Sequence, residues 1–340
     1  VTCGIIEGDM TDIDEILARL NPSVREKVLK ALDTTSDKQE LPSIGLTRTL
    51  GGGIGYGRQT LLWGNRSSGK TLFALQTVSK AQQEGKGYAW IDGERNFDKD
   101  WAGRLGVDND QLIVSQVTSI SDVADAVSDM IRAGVDGVVI DSISALLPSS
   151  FFSDKDEMKP MENTGQIGQF SKDIGTLSKM INSINHKAAL ILISQVRTNL
   201  GGYVAMLKPM GGLTIDHMNS TSIKLWSNTS DVKQIKGEIR NGDYLYKAPI
   251  GRKVDWFVDK NRGPGMGMSG AYDLYYAGDF VGVDTYGELI DLGVELGKVQ
   301  KKGTSWYTIY GEQLQGKTEA SKYLRETPEI FEKLKGDILD

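Results

Sequence analysis

Eight residues, GNRSSGKT at 64–71, carry the densest chemistry in the chain. Gly64, Gly69, Lys70 and Thr71 fill every fixed position of the pattern G-x-x-x-x-G-K-[ST], with Asn65, Arg66, Ser67 and Ser68 between them and Leu72 just after. The glycines let the backbone curl until its N–H groups face inward, where they can bind phosphate oxygens. A helix starting at the end of such a loop adds the positive end of its dipole. Lys70 supplies a charge for the outer phosphates of a nucleoside triphosphate, and the Thr71 hydroxyl a ligand for Mg²⁺. A strand-like run, QTLLW, precedes the loop and a helix-like run, LFALQTVSKAQQ, follows it. Both flanks being in place argues against the alternative, a glycine-rich turn with an incidental Lys-Thr pair.

A metal ion at Thr71 needs a carboxylate nearby. GVDGVVIDSISAL offers Asp141 at the C-terminal end of an apolar strand, the end at which open α/β sheets bind ligands. Taken alone, that pattern is as often a cap for the next helix. Glu94, in GYAWIDGERNFD, ends another strand and has the chemistry to orient and deprotonate an attacking water. A solvated surface glutamate has the same spacing. Two further glycine clusters are weaker signals. LGGGIGYGR at 50–58 precedes a strand where a dinucleotide fingerprint must follow one, and KNRGPGMGM at 260–268 opens no helix. Both read as loops or turns.

These residues need a scaffold, and the rest of the chain supplies one. Apolar positions at helical spacing over 10–34, interrupted by Asn21-Pro22-Ser23, predict two short helices, with Thr11 or Asp12 capping the first and Pro22 starting the second. DTTSDKQELPS reads as a polar linker. From about Ile44 the strands QTLLW, GYAWI, QLIVSQ, GVVIDS and AALILISQ alternate with helices such as SISDVADAVSDMIRAG and GQFSKDIGTLSKMINSINHK. Apolar strands separated by helices predict a mostly parallel sheet with helices on both faces. TSIKLWS, YLYKAP and RKVDWFVDK alternate instead, which predicts an antiparallel extension of that sheet. The segments ELIDLGVELG, SWYTIYG and ASKYLRETPEIFEKLKGDIL read as a small α/β domain at the end. The divisions are 1–35 helical, 36–275 core and 276–340 C-terminal domain.

Composition narrows the classes. Nothing approaches the apolar length that a bilayer requires, so no membrane association is expected. The first 20 residues are acidic and do not read as a signal peptide, and one cysteine forms no internal disulfide, which together predict a cytoplasmic protein. Two histidines and that cysteine make a structural zinc site a poor fit. A net charge of -6 argues against a surface coated in nucleic acid and leaves room for one basic channel.

GNRSSGKT, IDGERNFD, LGVDNDQLIVSQ, VVIDSISALLP, ILISQVR, MGG and DKNRGPG follow one another in the order and at close to the intervals of the bacterial RecA recombinases, which the chain resembles from about Leu46 to near its end. TYGELIDLGVELGKVQKKGTSWYTIYGEQLQGK resembles the C-terminal domain of that family. The resemblance implies a RecA-type ATPase core that binds ATP and Mg²⁺ and forms a helical filament on single-stranded DNA. There it would pair the strand with homologous double-stranded DNA. Glu94 would activate water, Asp98 and Trp101 would hold adenine, and Gln195 would sense the γ-phosphate. Lys260 and Arg262 would reach the γ-phosphate of a neighbouring protomer. Two loops, about Ser149–Gln169 and Arg197–Met218, would face DNA as long segments without secondary structure. Their contacts would come from Lys172 and Lys179 after the first, and from Arg197, Thr198, Asn199, Leu200, Gly201, Gly202, Gly211 and Gly212 in the second. Asp216 and His217 depart from the lysine and phenylalanine usual in the family. Arg252 and Lys253 are the nearest substitutes for its second strand-holding patch. A ring helicase with the same core, or an ATP-gated scaffold that does not hydrolyse, are the alternatives.

Overall fold

The computed structural model describes residues 13–25, 37–152, 168–199, 206–227, 234–241, 244–278 and 280–339. Residues Val1–Ser36 form one unit and Asp37–Asp340 another. In the first, α1 (Ile13–Arg19) and α2 (Pro22–Arg25) are the two helices expected, with Pro22 opening the second. The proposed caps Thr11 and Asp12 lie outside the described residues, as does the rest of the second helical pattern.

The second unit opens with β1 (Lys38–Gln39), α3 (Ile44–Thr49) and β2 (Ile54–Gly55). The linker reading fails from residue 37 onward, because β1 pairs antiparallel with β2. Lys38 Nζ donates to the carbonyls of Leu50 and Gly51, and Tyr56 Oη to Gln39 Oε1. Gly53 has φ +117°, and a Cβ there would sit 2.0 Å from Gln39 O. Two paired residues have no periodicity for a sequence reading to detect.

The central elements follow in order: β3 (Gln59–Gly64), α4 (Lys70–Gln83), β4 (Tyr88–Asp92), α5 (Lys99–Arg104), β5 (Leu112–Ser115), α6 (Ile120–Ala133), β6 (Gly137–Asp141), α7 (Gln169–Ile184) and β7 (Ala189–Asn199). Then come β8 (Met206–Pro209), α8 (Gly212–Met218), β9 (Thr221–Ser227), β10 (Gln234–Asn241), β11 (Tyr244–Asn261), β12 (Ser269–Tyr275) and β13 (Gly282–Val283). They build one sheet of order β13-β12-β11-β9-β3-β7-β6-β4-β5, with β10 on β11 and β8 on β7. Strand residues point alternately to its two faces. Leu62, Trp90, Val139 and Ile191 meet Phe73 and Val78 of α4, while Leu61, Ile91, Ile140 and Leu192 meet Val123 of α6 and Leu177 of α7. This double cover is why these strands read as unbroken apolar runs.

Two details differ from the sequence reading. TSIKLWS was expected to be antiparallel, yet β9 runs parallel to β3 and antiparallel only to β11, which makes it the junction between the two parts of the sheet. YLYKAP and RKVDWFVDK are parts of the single 18-residue β11. The sheet also continues past Tyr275 to β13, whose Val283 N–H donates to Gln76 Oε1 of α4.

The C-terminal elements are α9 (Thr285–Glu295), β14 (Gln300–Lys302), β15 (Trp306–Ile309), β16 (Glu312–Gln315), α10 (Lys317–Glu326) and α11 (Pro328–Leu339). Leu289, Ile290, Ile309, Leu324, Leu334 and Ile338 form a separate core that also takes in Ile44 of α3. A buried carboxylate makes the second tie. Glu288 of α9 accepts hydrogen bonds from Ser43 Oγ (2.6 Å), Ile44 N (2.9 Å) and Gly45 N (3.2 Å) at the start of α3. Burial pushes its carboxyl from the ordinary 4.5 up to about 7; the three donors oppose that shift, and Asp284 adds to it. A carboxyl with a raised folded pKa binds its proton more tightly in the folded state. Folding stability should therefore fall as pH rises from about 4.5 to about 7, by a total of ~3 kcal/mol. Urea denaturation at pH 5 and pH 8 should show most of that loss in the wild type and not in Glu288→Gln. Equal pH dependence in the two proteins would refute it.

Candidate functional site

The phosphate loop leaves β3 at Gly64 and enters α4 at Lys70. Gly64 is obligatory, since a Cβ there would lie 1.8 Å from Leu225 O on β9. Gly69 caps α4 at φ +85°, where a side chain would be strained and would meet Leu274 at 2.5 Å. Asn65 anchors the loop's first turn to the end of β9, donating to Ser227 O (2.7 Å) and accepting from Ser227 N (3.2 Å). Ser68 N–H turns inward to Asn65 O (3.3 Å). Leu72 is buried and carries α4 into the core, while Arg66 and Ser67 are exposed on the loop's crest.

The loop's chemistry suits a polyanion. Lys70, itself buried, folds its Nζ back onto Gly64 O (3.2 Å) and Asn65 O (2.9 Å), so that among its hydrogen bonds only carbonyls hold the amine. Burial lowers its pKa, while Asp141 and Glu94 pull it back up. Ser68 Oγ is buried without a partner. Thr71 Oγ1 donates to Asp141 Oδ2 at 2.7 Å, which brings both expected Mg²⁺ ligands together. Burial pushes the Asp141 carboxyl up to about 6, opposed by the Thr71 hydrogen bond and reinforced by the Glu94 charge. A carboxylate whose charge is disfavoured in this way suits a divalent cation.

A cavity of about 280 Å³ opens in front of the loop, and Glu94, Trp101, Asp141 and Gln195 line it. Glu94 follows β4 and Gln195 lies on β7, with β6 between those strands. Glu94 Oε1 accepts from Ser142 Oγ (2.6 Å) and from Gln195 Nε2 (3.2 Å). Gln195 N–H donates to Ser144 Oγ (2.9 Å). Ser142 and Ser144 were not among the sequence candidates; SIS, directly after Asp141, was the available signal. Asp92 was missed as well. It is buried at the end of β4 and accepts from Asn96 N, Phe97 N and Gln116 Nε2, which shapes the turn that carries Glu94. Trp101 lies on the cleft wall, with the Arg104 guanidinium 5.1 Å from its ring. Asp98 does not line the cleft; its carboxylate caps α5, accepting from Asp100 N and Trp101 N.

Lys260 and Arg262 lie elsewhere. Arg262 N–H bonds Ser220 O, and Ser220 N–H bonds Gln59 O, which places both cations by the start of β3. The loop follows the other end, and a six-residue strand spans roughly 17 Å at about 3.3 Å per residue. Lys260 Nζ donates to the carbonyls of Asp216 and His217 and so closes the last turn of α8. Neither residue is among those that line the cleft.

The second loop is not the structureless segment expected. Its described parts are an antiparallel hairpin, Val196 opposite Pro209 and Arg197 opposite Lys208, followed by α8. Thr198 and Asn199 end β7; Leu200, Gly201 and Gly202 lie outside the described residues, as does most of the first loop. Gly211 caps α8 at φ +116°, and Gly212 packs it on α7, where a Cβ would meet Ser171 at 3.3 Å. Their hydrogen-bonding backbone is thus built into a helix start. Lys172 and Lys179 are exposed on α7, and Arg197 is exposed on β7.

A mostly parallel sheet, a phosphate loop after its central strand β3 and carboxylates at the C-terminal ends of β6 and β4 define an α/β protein of the phosphate-loop class. The family model of the RecA N-terminal domain matches residues 16–242, and that of the RecA C-terminal domain matches 287–340. Protein RecA of Nocardioides sp. is 34% identical over 304 residues, 88% of this chain and 81% of that protein. Protein RecA of Oleidesulfovibrio alaskensis is 33% identical over 305 residues, with the same coverage. The crystal structure of the RadB recombinase covers 68% of this chain and 95% of its own, with a TM-score of 0.48 and 19% identity. The chain belongs to the RecA family of recombinases. Among the described residues no helix is long and apolar enough to cross a membrane.

Proposed function

We propose that this protein is a DNA-dependent ATPase that assembles into helical filaments on single-stranded DNA and catalyses homologous pairing and strand exchange. The observation that carries the reading is the double attachment of Gln195. Its Nε2 holds Glu94 in the cleft, and its carbonyl oxygen accepts from Met210 N–H (3.2 Å) at the end of the β7–β8 hairpin. One residue thus joins the hydrolytic carboxylate to the segment proposed to grip DNA.

Lys70 and the inward N–H groups of the loop would bind the triphosphate, and Thr71 with Asp141 would hold Mg²⁺. Bound ATP supplies the phosphoanhydride whose cleavage drives the cycle. Glu94 would take the proton of the attacking water. With the γ-phosphate gone, Gln195 would lose a partner and the hairpin would relax, releasing DNA. Arg197, Lys172 and Lys179 would bind DNA phosphates, which carry no sequence information. Lys260 and Arg262, too far from their own loop, would serve the triphosphate of an adjacent protomer. In the trans arrangement hydrolysis depends on assembly.

The test is assembly itself. With Mg²⁺, a non-hydrolysable ATP analogue and a single-stranded oligonucleotide, the protein should form rods in negative-stain electron microscopy and sediment far faster than a monomer. A protein that stays monomeric under those conditions refutes the proposal.

A further inference from the structure

The crest of the phosphate loop is held by a residue far outside the motif. Ser67 has φ +59°, a left-handed conformation that a non-glycine residue adopts at a cost in strain. Its carbonyl accepts a hydrogen bond from Arg252 Nη1 on β11 at 3.1 Å. In a trans peptide the C=O and the following N–H point to opposite sides. Fixing the Ser67 carbonyl therefore also fixes the direction of the Ser68 N–H, which donates to Asn65 O within the loop. The guanidinium is itself fixed, with its Cζ 5.0 Å from the centroid of the Tyr276 ring.

The other anchors of the loop have the same origin. Asn65 is tied to Ser227 on β9, and Gly69 lies against Leu274 on β12. The lip of the cradle is thus shaped by the junction strand and the antiparallel extension, while the reacting side, Glu94 and Gln195, is shaped by the parallel strands. Arg252 touches the first and is not among the residues of the second.

We infer that Arg252 is a positioning residue for the triphosphate, fixing the Ser67–Ser68 peptide at the crest of the loop and placing a held positive charge beside it. This rests on the ATPase reading and adds a division of labour to it. Arg252 governs how tightly the triphosphate binds, and Glu94 and Gln195 govern how fast it is cleaved. An interaction equal in ground and transition states changes KM and leaves kcat alone.

The experiment measures the Kd of a fluorescent ATP analogue, and the KM and kcat for ATP with single-stranded DNA. It uses the full chain, Arg252→Ala, Arg252→Lys, Tyr276→Leu, and Lys70→Ala as reference. Arg252→Ala should raise Kd and KM about tenfold, the range of a hydrogen bond to a charged group, with kcat within about twofold. Arg252→Lys keeps charge and donor without the planar stack and should recover most of that loss, and Tyr276→Leu should raise Kd by a smaller factor. If Arg252→Ala does not fold, Tyr276→Leu decides. An unchanged Kd in folded Arg252→Ala or, failing that variant, in Tyr276→Leu, or a fall in Tm alone, overturns the inference while loss of binding in Lys70→Ala leaves the ATPase reading standing. Absence of ATP binding in the wild type removes both.

Discussion

Glu94→Gln is expected to lower DNA-stimulated ATP turnover by about 10²–10⁴-fold, the contribution of a positioned general base, and to leave ATP binding almost unchanged. The substitution is nearly isosteric. Oε1 can still accept from Ser142 Oγ and Gln195 Nε2, so the link across β4, β6 and β7 survives. What is lost is the basicity of the carboxylate and its charge beside Lys70 and Asp141. DNA bound in the presence of ATP should then stay bound, because the event that frees Gln195 no longer occurs. Phosphate release and the lifetime of the DNA complex after dilution measure the two effects separately. A slowed ATPase with wild-type DNA release would mean that hydrolysis does not reset the grip, and the scaffold alternative would take its place.

The parts of the site that lie close together along the chain were legible in the sequence. Gly64 through Thr71 are contiguous, and their flanks announce a strand and a helix; Asp141 closes an apolar run whose direction follows from the βαβ pattern. Contacts that depend on strand order were not legible. Glu94 and Gln195 are 101 residues apart and meet only because β4 and β7 flank β6. Glu288 was hidden for a related reason. An acidic residue in the first turn of a helix reads as a favourable surface charge, yet its carboxylate is buried against the start of α3, 245 residues from Ser43.

The misread direction of β9 has a different cause. Alternation reports which face of a strand is covered and says nothing about which way the strand runs. Ile223 and Leu225 point into the core, while Lys224 leaves it to lie over the rings of Trp63 and Trp226 at 5.2 and 5.0 Å. A parallel strand partly exposed on one face therefore has the signature of an antiparallel one. Arg252 shows the same limit from the functional side. The family resemblance offered it only as a nearby substitute in a patch for a second DNA strand; its hydrogen bond to the phosphate loop depends on where the long β11 runs, which its position in the sequence does not show.

Lys70→Ala should lose nucleotide binding almost entirely, and with it nucleotide-dependent DNA binding and hydrolysis. The amine is buried among Gly64 O, Asn65 O and the charges of Asp141 and Glu94. Removing it takes away an attraction of about 4 kcal/mol for a unit charge at 4 Å and an effective dielectric constant of about 20, roughly three decades in affinity. It also leaves an incoming anion facing Asp141 and Glu94 without the lysine's charge to offset theirs. The fold should tolerate the change, since the loop's path is set by Gly64 against Leu225 and Gly69 against Leu274, and alanine favours the helix that begins there. Calorimetric titration with ATP and Mg²⁺ measures the first effect, and a thermal melt within a few degrees of wild type checks the second. Strand exchange at the wild-type rate by a folded Lys70→Ala protein would show that the triphosphate is not held where this loop holds it, and the link from cleft to hairpin through Gln195 would then have nothing to transmit.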